Sequence, residues 1–280
     1  MVGKASHILT FTVHRPPSTV HRPAVPIALT RPISANFARC ELTYLERLPI
    51  DIDRARQQHA AYEVVLQSLG FNIVRLPALD EHPDAVFVED AAIALDELAV
   101  VAPMGASSRV GESRTVEAAL ARYLPVARLT SPATLDGGDV MRAGRRVFVG
   151  RSRRTNAAAI GQLQELLAPY EYEVIPVEVK GALHLKSACS VIGERMILAN
   201  TEWVDESPFA GFDLLPVDRA EGWGASVLHT NGHVVMPTGF ARTAQMLGDA
   251  GLTVHEVELT EIRKAEGGPT CLSILLPSVS

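Results

Sequence analysis

Two carboxylates stand side by side, Glu89 and Asp90, in the apolar run DAVFVEDAAIALDELAVV that spans residues 84–101. A buried carboxylate without a partner costs several kcal/mol or gives up its charge, so a pair in such a run calls for cations. Either an arginine elsewhere in the chain supplies them through a buried salt bridge, or the pair receives a cationic ligand. Neighbouring residues of a regular strand face opposite ways. Both carboxylates can serve one pocket only if the strand ends or bulges there, and that irregularity is expected.

Other residues carry matching chemistry. Cys271 follows the glycine-rich stretch KAEGGPT at the start of an apolar strand, the end where a thiol can meet a ligand, as a nucleophile must. A buried small hydrophobe is the alternative, and it suits Cys189 in LKSACSVIG, which lies amid a strand. His184, in ALHLKSACS, could move a proton to or from a substrate or could be a satisfied polar residue. Asp136 opens LDGGDV, where two glycines allow close backbone approach or simply a turn. Arg109 in SSRVGES and Arg154 in SRRTN lie in loops, as anion-binding groups or as solvated charges. His229 and His233 have the spacing of a helical metal pair, but the turn dipeptide Asn231-Gly232 lies between them, and no metal site is expected.

What could bring such scattered residues together is a repeat. Four apolar hairpins are legible, turning at Asp96-Glu97, near Gly144, at Gly193 and at Asn231-Gly232. Asp90, Asp136, His184, His229 and Cys271 mark them and a fifth strand at nearly constant spacing. Helical spacing at 53–69, 113–123, 155–167 and 243–250 separates the hairpins from short strands such as FNIVRLP, YEVIPV and LTVHEVEL. The unit is strand, strand, helix, strand. The fifth unit has only its last strand at 271–276, so VPIALTRP near the N-terminus is its expected partner. Five units around an axis give a five-bladed α/β propeller with pseudo-fivefold symmetry. A doubly wound sheet would show single strands alternating with helices. In a propeller, Asp90, Asp136, His184 and Cys271 converge on one cavity.

Bulk properties narrow the function class. The 280 residues are 47% hydrophobic and 21% charged, with a net charge of −6, which gives no reason to bind nucleic acid or an anionic membrane but suits a small cation. Three widely spaced cysteines fit a reducing, cytoplasmic setting rather than a disulfide framework. No run is apolar enough to span a bilayer, and no export signal is legible. Residues 1–24, with the repeated pentapeptide TVHRP, read as an irregular leader before a single catalytic domain at 25–280.

The ordered set CELTYLERLPID, DAVFVED, SSRVGES, LDGGDV, GRSRRTN, LHLKS and KAEGGPTC resembles the dimethylarginine dimethylaminohydrolases, within the guanidino-group-modifying (pentein) superfamily of five-bladed propellers. FVED and HLKS favour that family over arginine deiminase. The resemblance runs from about Ile27 to the C-terminus and implies hydrolysis of methylated arginines to citrulline and a methylamine, without metal or cofactor. By position it implies Cys271 as nucleophile and His184 as proton donor. Asp84, Glu89 and Asp90 would line the substrate pocket, and Arg109 and Arg154 would take the substrate carboxylate. The backbone at Leu42, in a lid, and at Ala265 would take its amino end. Two positions depart from the family's usual pattern, Val110 in place of a second arginine and Ala225-Ser226 in place of Ala-Asn, which bears on the pocket rim. A deiminase or another guanidine or ureido hydrolase stays open, as does a non-catalytic binding protein on the same fold. A second copy of the chain is the macromolecular partner kept open.

Overall fold

The computed structural model describes residues 13–14, 23, 25–276 and 278. The strand Ile27–Thr30 pairs antiparallel with Ile274–Leu276 and, after helix α1 (Ile52–Ser68), parallel with Asn72–Arg75. The N-terminal strand therefore closes the ring with the last one, Leu29 opposite Ile274, as expected. Each further unit is a hairpin followed by a parallel return. The second contains Ile93–Ala94, Ala99–Val101, helix α2 (Ser113–Leu120) and Val126–Arg128. The third contains Val140–Ala143, Arg146–Arg151, helix α3 (Ala157–Leu167) and Glu173–Glu178. Helix α4 (Leu185–Ala188) leads into the fourth, Cys189–Val191, Met196–Ala199 and Asp213–Pro216. The fifth contains Leu228–Thr230, His233–Pro237, helix α5 (Ala241–Asp249) and Thr253–Val257. Five small sheets in this arrangement fit the propeller.

Local chemistry sets the elements. Asp51 caps α1 by accepting the Arg54 amide, and Asn156 caps α3 by accepting that of Ala159. Asn231 and Gly232 both take positive φ, 47° and 78°, the geometry of a two-residue hairpin turn. The fourth unit departs from the repeat: between its last two strands the chain makes only a short 3₁₀ turn, Ser207–Phe209. Pro208 and Gly211 interrupt that connection and leave no room for a helix of several turns. Within the expected leader, Val13–His14 form a two-residue strand on the open edge of Val126–Arg128, and the rest of that stretch lies almost wholly outside the described residues.

The apolar core lies between neighbouring units. Ile93, Val100 and Ala127 of one sheet pack against Ile160, Leu163 and Leu167 of α3 in the next unit. Leu228, Val235 and Val257 pack likewise on the unit that holds Tyr62 and Leu66 of α1. A fully buried leucine contributes roughly 1.5–3 kcal/mol, so these contacts carry much of the stability and leave the axis to polar groups. Asp90, Asp136, His184 and Cys271 each lie just ahead of the first strand of their unit, Ile93–Ala94, Val140–Ala143, Cys189–Val191 and Ile274–Leu276.

Two glycines test the packing. A Cβ on Gly137 would stand 2.1 Å from the Glu89 carbonyl oxygen, whereas one on Gly161, inside α3, meets nothing within 4 Å. Gly137→Ala should destabilise by about 1–3 kcal/mol or more through backbone displacement. Gly161→Ala should stabilise by about 0.5–1 kcal/mol through helix propensity. Urea denaturation midpoints of the two variants should move in opposite directions.

Candidate active site

The run that carries Glu89 and Asp90 leaves the extended conformation where the carboxylates require it: Val88–Ala91 is a 3₁₀ turn, and the strand begins only at Ile93. Asp90 is thereby turned inward and buried. Its Oδ2 accepts from Arg109 Nη1 at 2.6 Å, and its Oδ1 accepts from the Gly138 amide at 3.2 Å and lies 3.7 Å from His184 Nδ1. His184, just ahead of α4, presents its other ring nitrogen, Nε2, to Asp136 Oδ2 at 3.2 Å. Asp136 in turn accepts the Gly105 amide through Oδ1 at 2.8 Å. The glycines of LDGGDV make this approach possible, since a Cβ on Gly138 would lie 2.7 Å from both Asp90 Oδ1 and His184 Nδ1.

Electrostatics follow from this enclosure. Burial alone would depress His184, but Asp90, Asp136 and Asp139 outweigh it and push its pKa up to about 9. Burial alone would raise Asp90, but His184, Arg109 and Arg154 outweigh it and hold it below the usual carboxylate range. Cys271, in the turn before Ile274–Leu276, feels the opposite balance. Burial, with Asp90 and Glu89 nearby, pushes its thiol up to about 12. Its carbonyl accepts the Glu89 amide at 3.3 Å, which joins the turn that carries Cys271 directly to the acidic turn. Glu89 Oε1 accepts from Lys186 Nζ at 2.6 Å, while burial raises its pKa against that lysine. Its Oε2 is buried with no hydrogen-bond partner. Asp84 accepts the Glu41 amide through both oxygens, and burial raises it to about 6.

The two arginines differ. Arg109 is fully engaged: besides Asp90 it donates to both oxygens of Glu112 and to the carbonyls of Asp84 and Phe87. Arg154 is buried, with Nη1 3.8 Å from Asp136 Oδ2 and without a hydrogen-bond partner. Its backbone amide donates to Ser152 Oγ, which donates to Asp139, so a buried acid indirectly positions it. Leu42, Ala265 and Cys271 share one apolar cluster. Asp90, Asp136 and His184 thus share one polar centre, with Cys271 close enough for Asp90 and Glu89 to act on its thiol and with Arg154 beside Asp136. The ligand atoms of Asp90, Asp136 and His184 all lie within 4.8 Å of one another. In this state the His184 imidazolium serves both acids; a divalent cation could use the same three atoms.

His229 does not join the centre. It lies within the strand Leu228–Thr230 and lines a cavity of about 220 Å³ along the axis, together with Glu89, Lys186, Ser190, Thr270 and Ser273. The fifth unit instead sends Ser226 to the loop before Cys271, where a Cβ on Gly268 would lie 2.5 Å from Ser226 Oγ. Cys189 opens its strand and is fully buried against Met141 and the Leu185 carbonyl. Sequence reasoning missed four buried or half-buried groups that hold the site: Lys186 on Glu89, Glu112 on Arg109, Asp139 on the Leu185 amide, and Glu266. All four stand inside marked stretches, HLKS, SSRVGES, LDGGDV and KAEGGPTC, so the signal was an ionisable residue in a motif already marked.

The family model for eukaryotic N,N dimethylarginine dimethylhydrolase matches residues 43–208. The N(G),N(G)-dimethylarginine dimethylaminohydrolase of Streptomyces coelicolor is 36% identical over 251 residues, 89% of this chain and 96% of that protein. The enzyme of the same name from Pseudomonas aeruginosa is 33% identical over 226 residues, 80% of this chain and 89% of that protein. The solved structure of a mutant of the Pseudomonas aeruginosa enzyme, complexed with citrulline, superposes with a TM-score of 0.85 at 30% identity, covering 89% of this chain and 98% of that one. The N-terminal domain of ArgZ, at 18% identity and a TM-score of 0.82, shares the fold over 91% of this chain and 98% of that one. With the fold, the ordered motifs and this degree of identity together, the chain belongs to the dimethylarginine dimethylaminohydrolase family.

Proposed function

We propose that this protein hydrolyses Nω-methylated arginines to citrulline and a methylamine through a covalent Cys271 intermediate. The observation that carries this reading is a buried thiol beside acidic groups and a doubly anchored, charged histidine, in a chain of this family. In the free protein the thiol is held protonated by burial and by Asp90 and Glu89. A bound guanidinium brings a positive charge to those acids, relieves their effect on the thiol and favours release of its proton. The Cys271 thiolate then attacks the guanidino carbon, and the carboxylates hold the nitrogens of the tetrahedral adduct. His184, charged below about pH 9, gives its proton to the departing methylamine as the C–N bond breaks. The neutral His184 next takes a proton from water. The hydroxide attacks the thiouronium carbon, and the C–S bond breaks as the hydroxyl proton passes to sulfur, which releases citrulline and restores the Cys271 thiol. Asp136 keeps the imidazole oriented through both steps.

At the other end of the substrate, Arg154 is the arginine with an unused donor, and it receives the α-carboxylate. Arg109 contributes its field and holds Asp90 charged; direct contact with the substrate would require it to release Glu112. Asp84 orders the lid through the Glu41 amide, and the backbone at Leu42 and Ala265 receives the amino end. Three free, buried cysteines support a reducing, cytoplasmic setting. No described helix is long and apolar enough to cross a membrane.

Incubation with asymmetric dimethylarginine should yield citrulline and dimethylamine, and Cys271→Ser should abolish turnover with the fold intact. Mass spectrometry of trapped enzyme should place the adduct on Cys271; an adduct on Cys189 would refute the assignment, and turnover of arginine alone would move the substrate to a deiminase type.

The histidine sets a pH limit with a definite sign. Its pKa is raised from the ordinary 6.5 to about 9. The stability it contributes is therefore fully present below about 6.5 and lost as pH rises through about 9. The acid form needed for amine departure disappears over the same upper range, so turnover should fall above about pH 9. A rate that still climbs through pH 10 would remove His184 as the acid.

Decarboxylated substrate tests Arg154. Loss of one charge-assisted hydrogen bond costs roughly 1.5–3 kcal/mol, so the wild type should use the decarboxylated analogue about 10- to 100-fold less well in kcat/KM. Arg154→Ala should discriminate weakly, and equal use of both compounds by the wild type would show that Arg154 does not read the carboxylate.

A further inference from the structure

Glu266 stands five residues before Cys271 and beside Ala265, and it is 4% exposed. Its backbone takes φ +58°, a left-handed conformation uncommon outside glycine. One carboxylate oxygen, Oε1, accepts from three successive amides, those of Thr43, Tyr44 and Leu45, at 3.0, 2.5 and 2.7 Å. These amides belong to the segment next to Leu42. The same segment is tied at its start to Asp84 through the Glu41 amide, and the Glu41 carboxylate accepts from Ser108 Oγ at 2.6 Å. The second oxygen of Glu266, Oε2, is buried and has no hydrogen-bond partner.

No described side chain forms an ion pair with this carboxylate. The two basic residues just before it are turned elsewhere: Arg263 lies over the ring of Phe240, 4.8 Å from its centroid, and Lys264 donates to Glu261 and the Pro49 carbonyl. A buried carboxylate with three donors on one oxygen and none on the other leaves an acceptor unused, the match for one compact cationic donor. The substrate of the proposed reaction carries such a group, an α-ammonium on the same carbon as its carboxylate. The Arg153 guanidinium lies 6.0 Å from the ring centroid of Tyr44, so the loop that carries Arg154 reaches the segment held by Glu266. An amino-acid head between Arg154 and Glu266 would place each of its charges on an unused partner.

We propose that Glu266 is a specificity residue that reads the substrate's α-ammonium group through Oε2 and, through Oε1, fastens residues 43–45 over it. The inference rests on the hydrolase reading and adds a link between recognition of the amino end and the ordering of the lid. One carboxylate serves both tasks, so an occupied site strengthens the closed segment and a closed segment completes the site.

The test compares Nω-methylarginine with 5-(methylguanidino)pentanoate, which keeps the carboxylate and lacks the amino group. The wild type should favour the amino acid by about 10- to 100-fold in kcat/KM, the loss expected for one charge-assisted hydrogen bond. Glu266→Gln keeps an oxygen for the lid amides and removes the charge. It should lose a similar factor on Nω-methylarginine, mainly in KM, with no comparable loss on the desamino compound. A second measurement uses the wild type alone: hydrogen exchange at residues 43–45 should slow with citrulline and not with 5-ureidopentanoate. Undiminished discrimination in Glu266→Gln, no discrimination in the wild type, or equal protection by the two ureido compounds would each overturn the proposal. A wild type that makes no citrulline from methylated arginine refutes the reaction instead, and the exchange comparison still reads the role of Glu266.

Discussion

Asp90 carries a negative charge in the interior, and the arrangement of its neighbours follows from keeping it there. One oxygen is held by Arg109, the other by the Gly138 amide with the His184 imidazole beyond it. Each partner is fixed in turn: Arg109 by Glu112, Gly138 by the close fit of its loop, His184 by Asp136. Breaking a buried pair by removal of one member typically costs 3–5 kcal/mol, because the surviving charge has no water to turn to. The same charge that raises the pKa of His184 also raises that of Cys271, so in the proposed reaction the acid is ready and the nucleophile is not until a third charge arrives. A cationic substrate is the simplest such charge, and selectivity and activation then share one cause.

The apolar contacts explain why this concentration of charge is tolerated. Four of the sheets pack on the helix of the next unit, as Ile27 and Leu29 do on Val116 and Leu120 of α2, and the third packs instead on Phe209 of the 3₁₀ turn in the fourth unit. The stabilising surface is thus distributed around the ring, and the inner ends of the strands need not be apolar. Fully buried groups such as Asp136 and Asp139 are satisfied locally by amides and hydroxyls, from Gly105, Leu185, Ser152 and Thr155. Lys186 and Glu89 neutralise each other where the axial cavity begins.

The repeat was legible because hairpins leave a strong local signal, and the dipeptide Asn231-Gly232 adopts the very turn its composition favours. The break at Glu89-Asp90 was legible for a different reason: two adjacent carboxylates cannot share a pocket from a regular strand, and the chain resolves this with a 3₁₀ turn. Register along the repeat was harder. Equal spacing pointed to His229, yet the fifth unit brings Ser226, just after the 3₁₀ stretch Arg219–Ala225, to the loop before Cys271, and His229 falls inside the strand Leu228–Thr230. The pairing of charges was least legible. Arg109 and Arg154 both read as loop cations, and only three-dimensional contact separates the one spent on Asp90 and Glu112 from the one with an unused donor. Glu266 stands in the marked stretch KAEGGPTC, but its partners were not legible, since they are three backbone amides more than two hundred positions away.

The closure between Ile274–Leu276 and Ile27–Thr30 has a kinetic side. This pairing joins opposite ends of the sequence, the kind of contact that forms late because the intervening chain must first be gathered in. Cys271 lies in the turn that leads into this last strand, and its carbonyl accepts the Glu89 amide of the neighbouring unit. Individual units can collapse earlier on local hairpins and neighbouring helices, but none of them contains a working centre. On the proposed reading, the Cys271 thiol would join the acids and the histidine only once this long-range closure is made, so a partly folded chain would have no means of modifying guanidines in passing.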